Sequence, residues 1–148
     1  VRLLVAEDCG FIGSNFIRYM LKKYLDYEVV NLDKFTYVVN PADFKNIEAN
    51  LNYSSIKSDR CDSVIVNEIM KKADKVVHFV AESHVDRSID DGSIFVRGNV
   101  LGTSVLLQSA LANKIKKFSN LSTDKVYRST KEGSFTETDN LNPSSPYP

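Results

Sequence analysis

Short apolar runs alternate with stretches of helical period along most of this chain, and that alternation restricts it to very few architectures. Arg2 to Ala6 is apolar and ends in a turn, which reads as a buried strand. Phe11 to Tyr24 then carries apolar residues at 12, 16, 17, 20 and 21, one face of a helix. The pattern repeats. Strands are expected at Glu28–Leu32, Tyr53–Lys57, Lys75–Val80 and Lys116–Leu121, and helices at Pro41–Asn50, Asp62–Ala73 and Ile94–Asn113. Pro41 suits a first helical turn, Asp62 is a natural N-cap, and Gly98 and Gly102 weaken the start of the last helix. From Ser122 to Pro148 there is turn and loop chemistry without a strong period. Strand–helix alternation of this kind gives βαβ units and a parallel sheet covered on both faces, the doubly wound α/β class of Rossmann type. Such sheets bind ligands outside the carboxyl ends of their strands, near the point where strand order reverses.

With 148 residues, 43% hydrophobic and 26% charged, the chain has the balance of one globular domain, expected to span 1–148. Its formal net charge is zero, and few aromatics interleave with Lys71-Lys72 or with Lys114, Lys116 and Lys117. Nucleic acid is therefore not an expected partner. Neither is a membrane, because no unbroken apolar run approaches the roughly 20 residues of a span. Val1 to Val5 is too short an apolar stretch for a signal peptide. Cys9 and Cys61 form no CxxC pair, which points to a reducing, cytoplasmic compartment. Opening on Val1 and stopping just past Asn142-Pro143-Ser144-Ser145-Pro146, the chain reads as the first part of a longer protein.

The turn after the first strand carries the sharpest motif. Gly10 and Gly13 are spaced as the last two glycines of a dinucleotide fingerprint, and Phe11 and Ile12 lie between them. Gly10 would let a pyrophosphate approach the backbone, and Gly13 would let the helix pack close to the strand. Asp33 ends the second strand, near the spacing expected for the acid that hydrogen-bonds an adenosine ribose. The expected cofactor is NAD. Glu7 stands where the pattern has its first glycine, and Asp8 follows it. Two carboxylates beside the pyrophosphate predict weakened NAD binding, and Asp8 could itself fill the anion site at the helix start.

Several stretches together resemble one family. Val5 to Phe16, Asn31 to Tyr37, Ala81 to Ser88, Asn99 to Thr103, Ser122-Thr123-Asp124 and Pro143 to Tyr147 are similar to the N-terminal part of the dTDP-glucose 4,6-dehydratases, extended short-chain dehydrogenase/reductases. The resemblance implies that NAD takes a hydride from C4 of the glucosyl unit while a tyrosinate removes the 4-hydroxyl proton. Water then leaves from C5 and C6, and the hydride returns to C6, giving a 4-keto-6-deoxy sugar nucleotide of the deoxysugar and rhamnose pathways. By position, Tyr147 corresponds to the tyrosine of the YxxxK motif. Asp124 corresponds to the acid for the leaving 6-hydroxyl, and Thr123 to the residue that bonds the 4-hydroxyl. Ser83 and His84 fall near the substrate. Asp33, Lys34, Thr36 and Asp59 correspond to the adenosine end of the NAD site, and Ala81, Glu82, Ser83 and Asn99 to further cofactor contacts. The resemblance also implies a homodimer for the full-length protein, formed through the helix at Ile94–Asn113 and a second helix outside these 148 residues.

The departures from that family fall on functional positions. Lys125 replaces the Glu that acts as base for the C5 proton, and an ammonium accepts no proton unless burial lowers its pKa greatly. Arg128 replaces a Gly, Gly98 a Thr, and Pro148 a small residue, and Asp59 stands between Ser58 and Arg60 rather than between Gly and Ile. Other readings therefore stay open beside the dehydratase: a non-catalytic nucleotide-binding module, a domain that serves only in assembly, or a relative of the sugar-nucleotide 4-epimerases. Among single residues, His78 reads as a core histidine, Cys9 and Cys61 as packing, and Tyr127 as either structural or site-lining. No His, Cys and Asp spacing suits a metal.

Overall fold

The structure is a computed structural model and describes residues 1–6, 10–34, 47–79, 92–128, 130 and 132–144. Five parallel strands form one sheet: β1 Arg2–Ala6, β2 Glu28–Asp33, β3 Tyr53–Lys57, β4 Lys75–His78 and β5 Lys117–Asn120. Their order is β3-β2-β1-β4-β5, so the chain runs outward from β1 and then returns to β1's other side. That reversal is the switch point of a doubly wound fold.

Alternation along β1 explains the two layers. Leu3 and Val5 point to one face, where α1 (Phe11–Lys23) packs Ile17, Met20 and Leu21 against them with Val29. Leu4 and Ala6 point to the other, where Val66 and Met70 of α2 (Ser63–Met70) and Leu106 and Ala110 of a long helix close over Val30, Leu32 and Val76. Ile12 departs from the expected apolar face. It is exposed in the first turn, where Gly13 and Ser14 take the buried positions.

Asp62 caps α2 as expected, its Oδ1 accepting from the N–H groups of Val64 and Ile65 at 3.1 Å each. The helix is shorter than its sequence pattern, and residues 71–73 continue as a turn. Of the helix expected at Pro41–Asn50, residues 41–46 lie outside the described residues, and 47–49 form a turn closed by Asn50 N–H to Ile47 O.

The long helix α3, Gly92–Ala112, is regular at both ends but has an i→i+5 segment at Val96–Gly102. At its C-terminus Ile115 N–H bonds Ala110 O and Lys114 N–H bonds Leu111 O, a Schellman pattern with Lys114 at φ 54°. The expectation that no stretch reaches membrane-span length is corrected here, because α3 is long and apolar enough to cross one. Reading for unbroken apolar runs overlooks it, since Arg97, Gly98 and Asn99 interrupt the run. In this fold α3 lies on the sheet through Leu106 and Ala110, while Ile94, Val96, Val100, Leu107 and Leu111 are exposed.

Candidate functional site

The carboxyl ends of the parallel strands gather most of the described candidate residues at one edge of the sheet. Gly10 follows β1, Asp33 ends β2, Asp59 lies just beyond β3, and Thr123 and Asp124 lie just beyond β5. Gly10 is the N-cap of α1 and has no side chain to bond the helix's first N–H groups, and the first turn holds no acidic residue. Among the described residues, a Cβ added at Gly10 would meet nothing within 4 Å. Phe11 and Ile12, the next two residues, are 82% and 63% exposed. Gly13 is buried. Glu7, Asp8 and Cys9 lie outside the described residues, as do Thr36, Ala81, Glu82, Ser83, His84 and Tyr147.

The adenosine-end candidates are brought together. Asp33 is 1% exposed, and its carbonyl accepts from Ser58 N–H at 2.9 Å. Lys34 Nζ donates to Asp59 Oδ2 at 2.9 Å, and Cys61 N–H donates to Asp59 Oδ1 at 2.9 Å. Burial alone would raise the Asp59 carboxyl, but the Cys61 N–H and the Lys34 ammonium outweigh it and hold it well below the usual carboxylate range. Sequence reasoning missed a further partner: Arg97 of α3 reaches Asp59 Oδ2 at 3.5 Å. Only the fold, which lays α3 beside the loop after β3, brings these positions together. Asn99 lies in the same irregular segment of α3 and is half-buried.

Beyond β5, Thr123 caps a 3₁₀ turn at Asp124–Tyr127 that the sequence pattern did not reveal. Its hydroxyl accepts from Lys125 N–H and donates to Asp124 Oδ1, both at 3.2 Å. Lys125 is exposed, so the burial its role as a base requires is absent. Tyr127 stacks on Phe135 with ring centroids 5.3 Å apart, which favours the structural reading of that residue. His78 is a core residue as expected. It is 1% exposed, with Nε2 2.9 Å from Thr103 Oγ1. Among the described residues no cluster of three metal-ligating side chains exists.

Arg128 closes the 3₁₀ turn at φ 73°, ψ −175°, a region that only glycine enters without strain. Arginine carries that strain here. Replacing Arg128 by Gly is expected to raise stability by about 1 kcal/mol or more, read as a higher urea midpoint at unchanged slope. An unchanged or lower midpoint would show that this backbone is not strained.

A glycine N-cap at the first helix, an acid ending β2 and polar groups beyond β5 define a nucleotide-binding domain of the doubly wound type. The solved structure of DesIV, the dTDP-glucose 4,6-dehydratase of Streptomyces venezuelae with NAD and TYD bound, matches with a TM-score of 0.93 and 42% identity. That match covers 99% of this chain and 47% of that one. The dTDP-glucose 4,6-dehydratase of Streptomyces niveus is 40% identical over 151 residues, 99% of this chain and 45% of the relative. The UDP-glucuronic acid 4-epimerase of Bacillus cereus, solved with UDP-glucuronic acid and NAD, matches with a TM-score of 0.89 at 29% identity, over 99% of this chain and 48% of that one. The chain belongs to the family described as GDP-mannose 4,6 dehydratase, whose model matches residues 5–148. It spans less than half the length of the curated relatives it matches.

Proposed function

We propose that this chain is the NAD-binding part of a dTDP-glucose-type 4,6-dehydratase. The observation that carries this reading is the set of Gly10, Asp33, Asp59 and Thr123-Asp124 at one sheet edge, in a fold that superposes on a dehydratase solved with NAD. The residues present suit NAD. Gly10 has no side chain of its own to fill the helix start where a pyrophosphate would sit, and Asp33, Lys34 and Asp59 supply the polar end for adenosine. Gly13, Phe11, Ile12 and Asn99 complete the described part of the site. The higher identity to the dehydratase, 42% against 29%, favours it over a 4-epimerase.

NAD, when bound, supplies the acceptance and return of a hydride. The chain's own residues handle protons and position. Thr123 Oγ1 already donates to Asp124 Oδ1, so a proton for the leaving 6-hydroxyl belongs on Oδ2. Thr123 thereby orients the acid while lying close enough in sequence to contact the same sugar. Tyr147 would take the 4-hydroxyl proton, and Ser83 and His84 would hold the sugar. Lys125 stands where the resemblance places the carboxylate base for the C5 proton, which favours a second reading: nucleotide binding without turnover.

A second copy of the chain is the partner that suits the exposed apolar side of α3, and cytoplasm is the compartment that two cysteines outside any CxxC pair support. Incubating the chain with NAD and dTDP-glucose and following products by mass spectrometry tests the division of roles. NAD binding without a 4-keto-6-deoxy product is expected. Product formed by these 148 residues would refute the need for groups beyond Tyr147 and for a carboxylate at position 125.

A further inference from the structure

Three consecutive residues after β3 each bond the irregular turn of α3. The Asp59 carboxylate pairs with the Arg97 guanidinium at 3.5 Å. Arg60 Nε donates to Gly98 O at 3.2 Å, and Cys61 Sγ donates to Arg97 O at 3.3 Å. A backbone carbonyl has two lone pairs, so these two oxygens can accept from donors outside the helix as well. Arg60 is only 7% exposed, which is unusual for a cation and demands polar partners. Its stem fills space that a side chain at Gly102 would need: a Cβ there would lie 2.7, 2.8 and 2.9 Å from Arg60 Cγ, Nε and Cδ. Gly102 and Arg60 thus fit as a pair, and the turn they fix carries Asn99.

We propose that Arg60 is a positioning residue, clamping the Val96–Gly102 turn so that the Asp59 end of the site and the Asn99 segment are held as one unit. Lys34, just past β2, and Arg97 both meet Asp59 at Oδ2, so the clamp joins the end of β2, the loop after β3 and α3. This inference rests on the NAD reading of the site.

The test is Arg60→Met, which keeps the apolar stem and removes the donor. Amide hydrogen exchange across 97–102 is expected to speed up about tenfold, with β1 and β4 amides unchanged, and the Kd for NAD is expected to rise about tenfold. Unchanged exchange across 97–102 would overturn the clamp. Faster exchange with the wild-type Kd would overturn the positioning role, leaving a purely structural contact. Arg60→Lys covers the case in which Arg60→Met fails to fold. It keeps an apolar stem and a charge but removes the Nε donor to Gly98 O, and is expected to move both readouts the same way by a smaller factor; no movement in either would overturn the proposal. If the wild-type chain binds no NAD, the site reading has failed, and the exchange result alone decides for or against the clamp.

Discussion

Lowering the pH from 7 to 4 is expected to cost the fold about 3 kcal/mol through His78 alone. The imidazole is buried beneath α3, and burial first, then the nearby Arg60 charge, lowers its pKa from 6.5 to about 4. Folded His78 therefore stays mostly neutral until the pH nears 4, while the unfolded chain binds a proton near pH 6.5. The unfolded state holds more protons between these values, so stability is complete above about 6.5 and is lost as pH falls towards 4. Asp59 acts in a different window. Its folded carboxyl stays ionised well below the ordinary value of 3.8, so its contribution disappears only in stronger acid. The chain has two histidines, which makes assignment by NMR direct. A His78 ring that titrates near 6.5 in the folded protein would refute the prediction, as would a urea midpoint that is flat between pH 7 and 4.5.

Glu7→Gly is expected to tighten NAD binding about tenfold or more. Glu7 stands in the sequence where the dinucleotide fingerprint has its first glycine. A carboxylate about 4 Å from a phosphate charge costs roughly 1 kcal/mol in water and about 4 at an effective dielectric of 20, and 1.4 kcal/mol is tenfold. Because the substitution changes net charge by one unit, the gain should shrink as salt rises. Titration calorimetry on both chains at low and moderate salt measures it. Equal affinities would mean that Glu7 does not oppose the pyrophosphate.

The layers of this fold were legible because they depend on period. The short apolar run of β1 and the Ile17, Met20, Leu21 face of α1 place their residues whatever the tertiary detail. Asp62 and Asp33 were legible as well, since a cap and a strand-end acid are set by neighbours in sequence. What stayed hidden depends on contacts between distant segments. The i→i+5 turn in α3 is held by Arg60 and Cys61, some 36 to 38 residues away, and nothing in Val96–Gly102 announces it beyond two glycines. Arg97 was hidden for the same reason. Arg128 was visible as a departure from the family, but its consequence needed the backbone angle. The 3₁₀ turn after Thr123 is shorter than any period a sequence pattern can reveal.

The most direct measurement is a calorimetric titration of NAD into the purified 148-residue chain. Saturable one-to-one binding, with a Kd weaker than the low micromolar range, is expected from the Gly10, Asp33, Lys34 and Asp59 site opposed by Glu7 and Asp8. A low-micromolar or tighter Kd would contradict the role given to the two carboxylates. No binding at millimolar NAD would contradict the assignment of the site itself.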